Sequence, residues 1–284
     1  MEILSEKTFV KVLGKPLNDN ARSILYGLNA FGKDAGLDRP HRLAPYLAQL
    51  SHESQGTNHD REIWGPTKAQ KGYEGRKDLG NTEPGDGSKF RGYTPIQITG
   101  RANTTAFHDW CVKTFPNHEV PNFVETPRLM NTDPWEGIAP IWYWITRDLN
   151  RYSDANDFEN QTRRINGGLN GFADRCQWYA FAALALLDLP RDIKAFQRSS
   201  KLTADGQAGP KTRAALHQQL LALGEQDAEP ASNVGRLTAV QADLKMLGLY
   251  TGRVDGIWGD RSQAALVALQ EAHARITANL TPEN

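Results

Sequence analysis

Cysteine is scarce in this chain, with two in 284 residues, Cys111 and Cys176. Two thiols cannot build a disulfide framework or a zinc cluster. Both fall in segments that read as helical, where a buried free thiol is expected. An excess of either charge is also missing: 33 basic and 33 acidic residues leave a net charge of zero. That excludes a nucleic-acid binder whose affinity comes from bulk charge. No apolar run approaches the roughly 20 residues of a membrane-spanning helix, so no stable membrane insertion is expected. The opening Met1-Glu2-Ile3-Leu4-Ser5-Glu6-Lys7 has no basic stretch followed by an apolar core, so no secretory leader is expected either. The product should accumulate in the cytoplasm of the cell that makes it.

What is present is an ordinary globular composition, 39% apolar and 23% charged, on a chain long enough for one large domain and a smaller one. Helical apolar stripes run through Ile24, Leu25, Leu28 and Phe31, and again through Leu43, Leu47 and Leu50. The same period returns at about 101–115, 134–149, 156–165 and 172–188. The intervening 56–100 is rich in Gly, Pro, Asn and Asp, the residues of ordered turns, with one short extended run at Pro95-Ile96-Gln97-Ile98. The expected fold is mainly α, helices carrying a loop-rich cleft.

Near Leu189-Pro190 the text changes and begins to repeat. Asp205-Gly206-Gln207-Ala208-Gly209 returns as Asp255-Gly256-Ile257-Trp258-Gly259, each followed by a residue able to cap a helix. A polar stretch at about 224–233 reads as a linker. These signs divide the chain into domains at 1–190 and 191–284.

Several catalytic signatures are lacking. His52-Glu53 has Gly56 where a zinc-peptidase helix needs its second His, and no Gly-x-Ser-x-Gly elbow occurs. No metal or cofactor is called for. Two glutamates bracketed by aromatic and amide residues remain, Glu53 and Glu62. Glycosidic cleavage requires such a pair, one protonated carboxyl for the leaving oxygen and one ionised carboxyl to activate water or attack the sugar. Glu53 lies three residues past Leu50, beside the buried stripe. There, apolar packing would disfavour its charged form and suit it to donate a proton.

The text around these glutamates resembles glycoside hydrolase family 19, the chitinase-like enzymes, and in particular their phage endolysin branch. The matching segments are His52-Glu53-Ser54, Arg61-Glu62-Ile63-Trp64-Gly65-Pro66-Thr67, Tyr73-Glu74-Gly75-Arg76, Leu79-Gly80-Asn81 with Gly85-Asp86-Gly87, and Pro95-Ile96-Gln97-Ile98-Thr99-Gly100-Arg101. Ile165-Asn166-Gly167-Gly168 and Asp174-Arg175 follow downstream. The resemblance implies a lysozyme- or chitinase-like helical domain in which Glu53 is the general acid, Glu62 the general base, and Thr99 holds the attacking water. It places Gln97, Asn103, Tyr73, Arg76, Asn166 and Arg175 at substrate-binding or carboxylate-orienting positions. An arginine there would keep the base ionised. The chain departs from the family pattern at Gly92-Tyr93-Thr94 and at Thr104, both along the presumed cleft. Arg163 and Arg164 are expected on a solvated helix face, within possible reach of the acidic pair.

The tail is similar to the peptidoglycan-binding module of cell-wall hydrolases, with its halves in permuted order. One three-helix module over 191–284 is therefore expected, with Tyr250, Asp255 and Trp258 as candidate wall contacts. Together these resemblances imply a monomeric endolysin that hydrolyses the β-1,4 bond of bacterial peptidoglycan by inversion and causes host lysis. It would reach the wall with the help of a separate membrane-permeabilising protein. A chitinase or a lytic transglycosylase is the alternative.

Overall fold

The computed structural model describes residues 2–226 and 233–280, which fall into two compact units, 1–224 and 225–284. The first begins with α1 (Glu6–Leu13), α2 (Asp19–Phe31) and α3 (Pro40–Glu53). Two single-turn helices, α4 (Lys68–Lys71) and α5 (Asp86–Lys89), sit in the turn-rich stretch, followed by α6 (Arg101–Thr114), α7 (Trp135–Thr146) and α8 (Asn150–Asp154). Then come α9 (Phe158–Asn166), α10 (Phe172–Leu186), α11 (Ile193–Ser199) and α12 (Pro210–Gln226). The fold is mainly helical, as the periodicity predicts. The run expected to be extended at 95–98 is instead a turn, closed by isolated bridges that tie Arg61 to Tyr93 and Tyr93 to Ile98.

The centre of this unit is α3, which packs along α10, while α2 packs along α7 and α1 on α10. Ten of the fourteen α3 residues are buried, among them Leu43, Tyr46, Leu47 and Leu50, so the helix is sheathed on nearly every side. The α2–α7 crossing is close because both helices present glycine: a Cβ on Gly27 would stand 2.3 Å from the Gly137 backbone. α3 ends sharply at Ser54, whose hydroxyl donates to the Leu50 carbonyl at 2.7 Å and accepts from the Thr57 amide at 2.9 Å. Gln55, Gly56 and Thr57 all adopt positive φ. This turn fixes where Glu53 leaves the buried stripe.

The expected boundary at 189–190 is displaced. Ile193 and Phe196 of α11 and Leu216 and Leu220 of α12 are buried in the same core as α1, α3 and α10. Pro190 ends α10's run, but the next apolar stripe folds back onto the first unit, and the division falls at 224/225. Of the expected linker, residues 227–232 lie outside the described residues.

The second unit holds α13 (Asn233–Met246) and α14 (Asp260–Leu280) around a small core of Leu244, Tyr250 and Ala265. The two Asp-Gly turns thus belong to different units, so the single permuted module expected over 191–284 is not formed. Each turn is clamped alike. Buried Gln197 donates to Asp205 Oδ1, the Gln207 carbonyl and Thr212 Oγ1, and accepts from the Gly206 amide, at 2.8–3.0 Å. Buried Gln241 donates to the Ile257 carbonyl and Ser262 Oγ and accepts from the Asp255 and Gly256 amides, at 2.8–3.0 Å. A buried amide needs all its partners, and here the turn and a hydroxyl from the first turn of the following helix supply them.

Candidate active site

Glu53 stands at the last position of α3 with 18% of its side chain exposed. Its Oε1 accepts from Arg175 Nη2 at 2.5 Å. Arg175, on α10, is wholly buried. Its Nη1 donates to Gln49 Oε1 at 2.5 Å and its Nε to the Asn170 carbonyl at 3.2 Å. Gln49 in turn donates to Thr162 Oγ1 at 3.0 Å. The chain Thr162–Gln49–Arg175–Glu53 therefore joins α9, α3 and α10 at one carboxylate. Apolar packing was expected beside Glu53; a charged donor meets it instead, and the arginine pairs with this carboxylate rather than with Glu62.

An open pocket of about 470 Å³ lies in front of Glu53, lined by His52, Gln55, Asn166, Asp174, Arg175 and Trp178 as well. His52 Nδ1 is 2.7 Å from Asp174 Oδ2. The ring rests against Gly171, where a Cβ would come within 2.2 Å of it.

Glu62 is held differently. Its amide donates to the Gly92 carbonyl at 2.8 Å, and the Gly92 amide returns a bond to Glu62 Oε2 at 3.1 Å. Oε1 accepts from Gln70 Nε2 at 3.0 Å and from the Tyr73 hydroxyl at 3.3 Å. Three donors thus converge on a group that, when ionised, only accepts. Burial first, and then Glu62, raise the Tyr73 pKa above its ordinary value, which keeps the phenol protonated as a donor. Gln70, itself buried, also bonds the Ile63 carbonyl and the Gly65 and Thr67 amides and closes the loop that carries Glu62.

Thr99 and Gln97 approach the same glycine: a Cβ on Gly92 would stand 3.3 Å from Thr99 Oγ1 and 2.3 Å from Gln97 Oε1. The Thr99 hydroxyl donates to the Gln97 carbonyl at 3.0 Å. Asn103 Nδ2 donates to the Thr99 carbonyl at 2.9 Å, and its Oδ1 accepts from Arg147 at 3.1 Å.

No family model matches the chain. A glycosyl hydrolase family 19 domain-containing protein of Haemophilus influenzae is 31% identical over 205 residues, covering 62% of this chain and 94% of that protein. This chain belongs to glycoside hydrolase family 19. The crystal structure of chitinase C from Streptomyces griseus HUT6037 matches with a TM-score of 0.52 at 19% identity, over 67% of this chain and 95% of that one. A chitinase C mutant matches with a TM-score of 0.51 at 19% identity, over 67% and 78%. These likenesses show a shared fold, and the family relationship makes the chain a glycoside hydrolase of the chitinase and lysozyme type.

Within this family 19 chain the other matching motifs are largely scaffold. Asn81, fully buried, donates to the Tyr73 carbonyl and accepts from the Arg101 amide at 2.9 Å each. Glu74 binds the Gly85 and Gly87 amides at 2.7 and 2.8 Å. Asp86 pairs with Arg101, which holds its pKa below the usual carboxylate range. Arg76 pairs with exposed Asp78 and lies near enough to Tyr73 to act on its charge. Asn166 is exposed on the pocket wall and accepts from Asn170 at 3.1 Å.

Sequence reasoning missed Gln49, which sits one turn before Glu53 on the same helix face, and Gln70, Tyr143 and Arg147. The i, i+4 spacing of Gln49 to Glu53 and of Tyr143 to Arg147 was the available signal. Trp142 and Trp144 are buried.

Of the candidate wall contacts, Tyr250 is buried and its hydroxyl donates to the Arg253 carbonyl at 2.8 Å. Asp255 Oδ1 accepts from the Ile257 amide at 3.0 Å. Both build the turn. Half-buried Trp258 packs on the small core and donates to Gln263 at 3.0 Å, while its neighbour Ile257 is 71% exposed.

Proposed function

We propose that this enzyme is an endolysin that hydrolyses the β-1,4 bond between the amino sugars of bacterial peptidoglycan, with Glu53 as general acid and Glu62 as general base. The carrying observation is the unequal support of the two carboxylates. Glu53 gives Oε1 to Arg175, which leaves Oε2 to hold the transferable proton. As that proton leaves, the new negative charge forms next to a guanidinium already in place, so the pair strengthens most in the transition state. Glu62, oriented by three donors, is placed to take a proton from water. Thr99, sharing Gly92 with Glu62, would hold that water. Inversion requires the water to fit between carboxyls roughly 6.5–9.5 Å apart.

The Asp-Gly turns support the choice of polymer through their likeness to a peptidoglycan-binding module. Such a module concentrates the enzyme on the wall without altering the chemistry. In this reading the enzyme is a monomer, made in the cytoplasm of the host bacterium and admitted to the wall by a separate permeabilising protein. The alternative polymer is chitin, favoured by the two solved chitinases of the same fold. Digestion of purified peptidoglycan followed by mass spectrometry tests the reading. Reducing-end products support it; anhydro-muramyl ends would make the enzyme a lytic transglycosylase. Release from chitin alone would make it a chitinase.

A further inference from the structure

Arg147, the C-cap of α7, lies one turn past Tyr143, and its guanidinium stacks 3.6 Å from the phenol ring centre and 5.4 Å from that of Trp142. Arg147 donates to Asn103 Oδ1 at 3.1 Å and to Thr146 Oγ1 at 3.2 Å. Among the described residues these partners are neutral; no carboxylate pairs with it. Burial first, and then the like charge of Arg164, lower its pKa from the ordinary arginine value. Arg164, on α9, comes near because the Tyr143 hydroxyl donates to the adjacent Ile165 carbonyl at 3.2 Å. It is exposed, and no hydrogen bond or ion pair of the described residues engages it. Its neighbour Arg163, by contrast, pairs with Glu159 at 2.8 Å.

The place of this pair in the cleft follows from its contacts. Asn103 links Arg147 to Thr99 and so to the Glu62 side, while Tyr143 is close enough to Glu53 to feel its charge. Two acids of the neighbouring helices are already engaged, Glu53 by Arg175 and Asp174 by His52. Two uncompensated cations held together, one of them half-buried, are unfavourable until an anion arrives.

We propose that Arg147 and Arg164 form an anion subsite that takes a carboxylate of the substrate, selecting strands containing N-acetylmuramic acid over neutral chitin. This rests on the hydrolase reading above and supplies its substrate discrimination. The carboxylate is either the lactyl group of the sugar or one on the stem peptide.

Calorimetric titration of the full chain carrying Glu62→Gln, which binds without turnover, separates these cases. Three soluble tetrasaccharides serve as probes: N-acetylglucosamine only, a peptide-free alternating strand, and an alternating strand bearing stem peptides. At least one anionic probe should bind about tenfold tighter than the neutral one, with the advantage shrinking as salt rises. Added Arg164→Gln or Arg147→Gln should remove most of that advantage. Preference for the peptide-free strand assigns the lactyl carboxylate; preference for the peptide-bearing strand alone assigns the stem. Equal binding of all three, no binding of any, or losses equal on neutral and anionic probes would overturn the subsite. If the preference holds but the wild-type chain frees no reducing ends from peptidoglycan, the hydrolase reading falls and the subsite stands.

Discussion

Buried Arg175 donates one guanidinium nitrogen to Glu53 and another to Gln49, each at 2.5 Å. A planar fork can hold both acceptors at once, whereas the point charge of a lysine cannot. Arg175→Lys should therefore fold and lose about a hundredfold in kcat. Arg175→Leu should in addition lose roughly 3–5 kcal/mol of stability, because Glu53 and Gln49 are left unpaired. Steady-state kinetics and urea unfolding read both effects, and a fully active lysine variant would refute the positioning role.

Tyr73→Phe removes one of three donors to Glu62 and little volume. A drop in kcat of about tenfold is expected, with KM nearly constant. An unchanged kcat would mean that Gln70 and the Gly92 amide suffice to hold the carboxylate.

Glu136 is buried, and its Oε1 has no hydrogen-bond partner among the described residues. Burial first, then Asp60 and Asp133, push its pKa from 4.5 up to about 8. The folded state then keeps a proton that the unfolded chain releases between these values. Stability should fall as pH rises through that window and stay lower above it. Glu136→Gln should gain about 1–3 kcal/mol over the parent at pH 9 and almost nothing at pH 4. Urea midpoints at the two pH values check this, and an equal difference at both would contradict it.

A fragment ending at residue 224 should fold with nearly the thermal midpoint of its unit in the full chain, whereas one ending at 190 should be strongly destabilised. The shorter fragment removes Ile193, Phe196, Leu216 and Leu220 from the first core, and each buried side chain of this kind contributes about 1.5–3 kcal/mol. The 1–224 fragment should act on soluble wall fragments much as the full chain does and more weakly on intact walls. Equal action on intact walls would deny the second unit a targeting role.

The helices were legible because a stripe of period 3.6 such as Leu43, Leu47, Leu50 has few other readings. The two glutamates were legible through their neighbours, and Gln70 and Tyr73 now account for part of that text. The boundary was not, since Pro190 interrupts the chain locally while the destination of Ile193 and Phe196 depends on a core far away in sequence. Nor was the partner of Glu53 predictable: Arg175 could be named as a site residue, but which carboxylate it would face is a matter of how α10 packs on α3. Arg147 was marked only by its spacing from Tyr143, and Arg164 only as part of a solvated helix face, because an unpaired cation is recognised only once its surroundings are known.

The glutamine clamp constrains which parts of the tail can vary. In both turns the hydroxyl that meets the glutamine comes seven residues after the aspartate, Asp205 to Thr212 and Asp255 to Ser262, but the glutamine precedes the aspartate by eight residues in one and fourteen in the other. Insertions between helix and turn are thus tolerated by the architecture, and insertions inside the seven-residue frame are not. Such a frame can be copied, lengthened on one side and placed after unrelated cores, as a transferable cassette smaller than a domain.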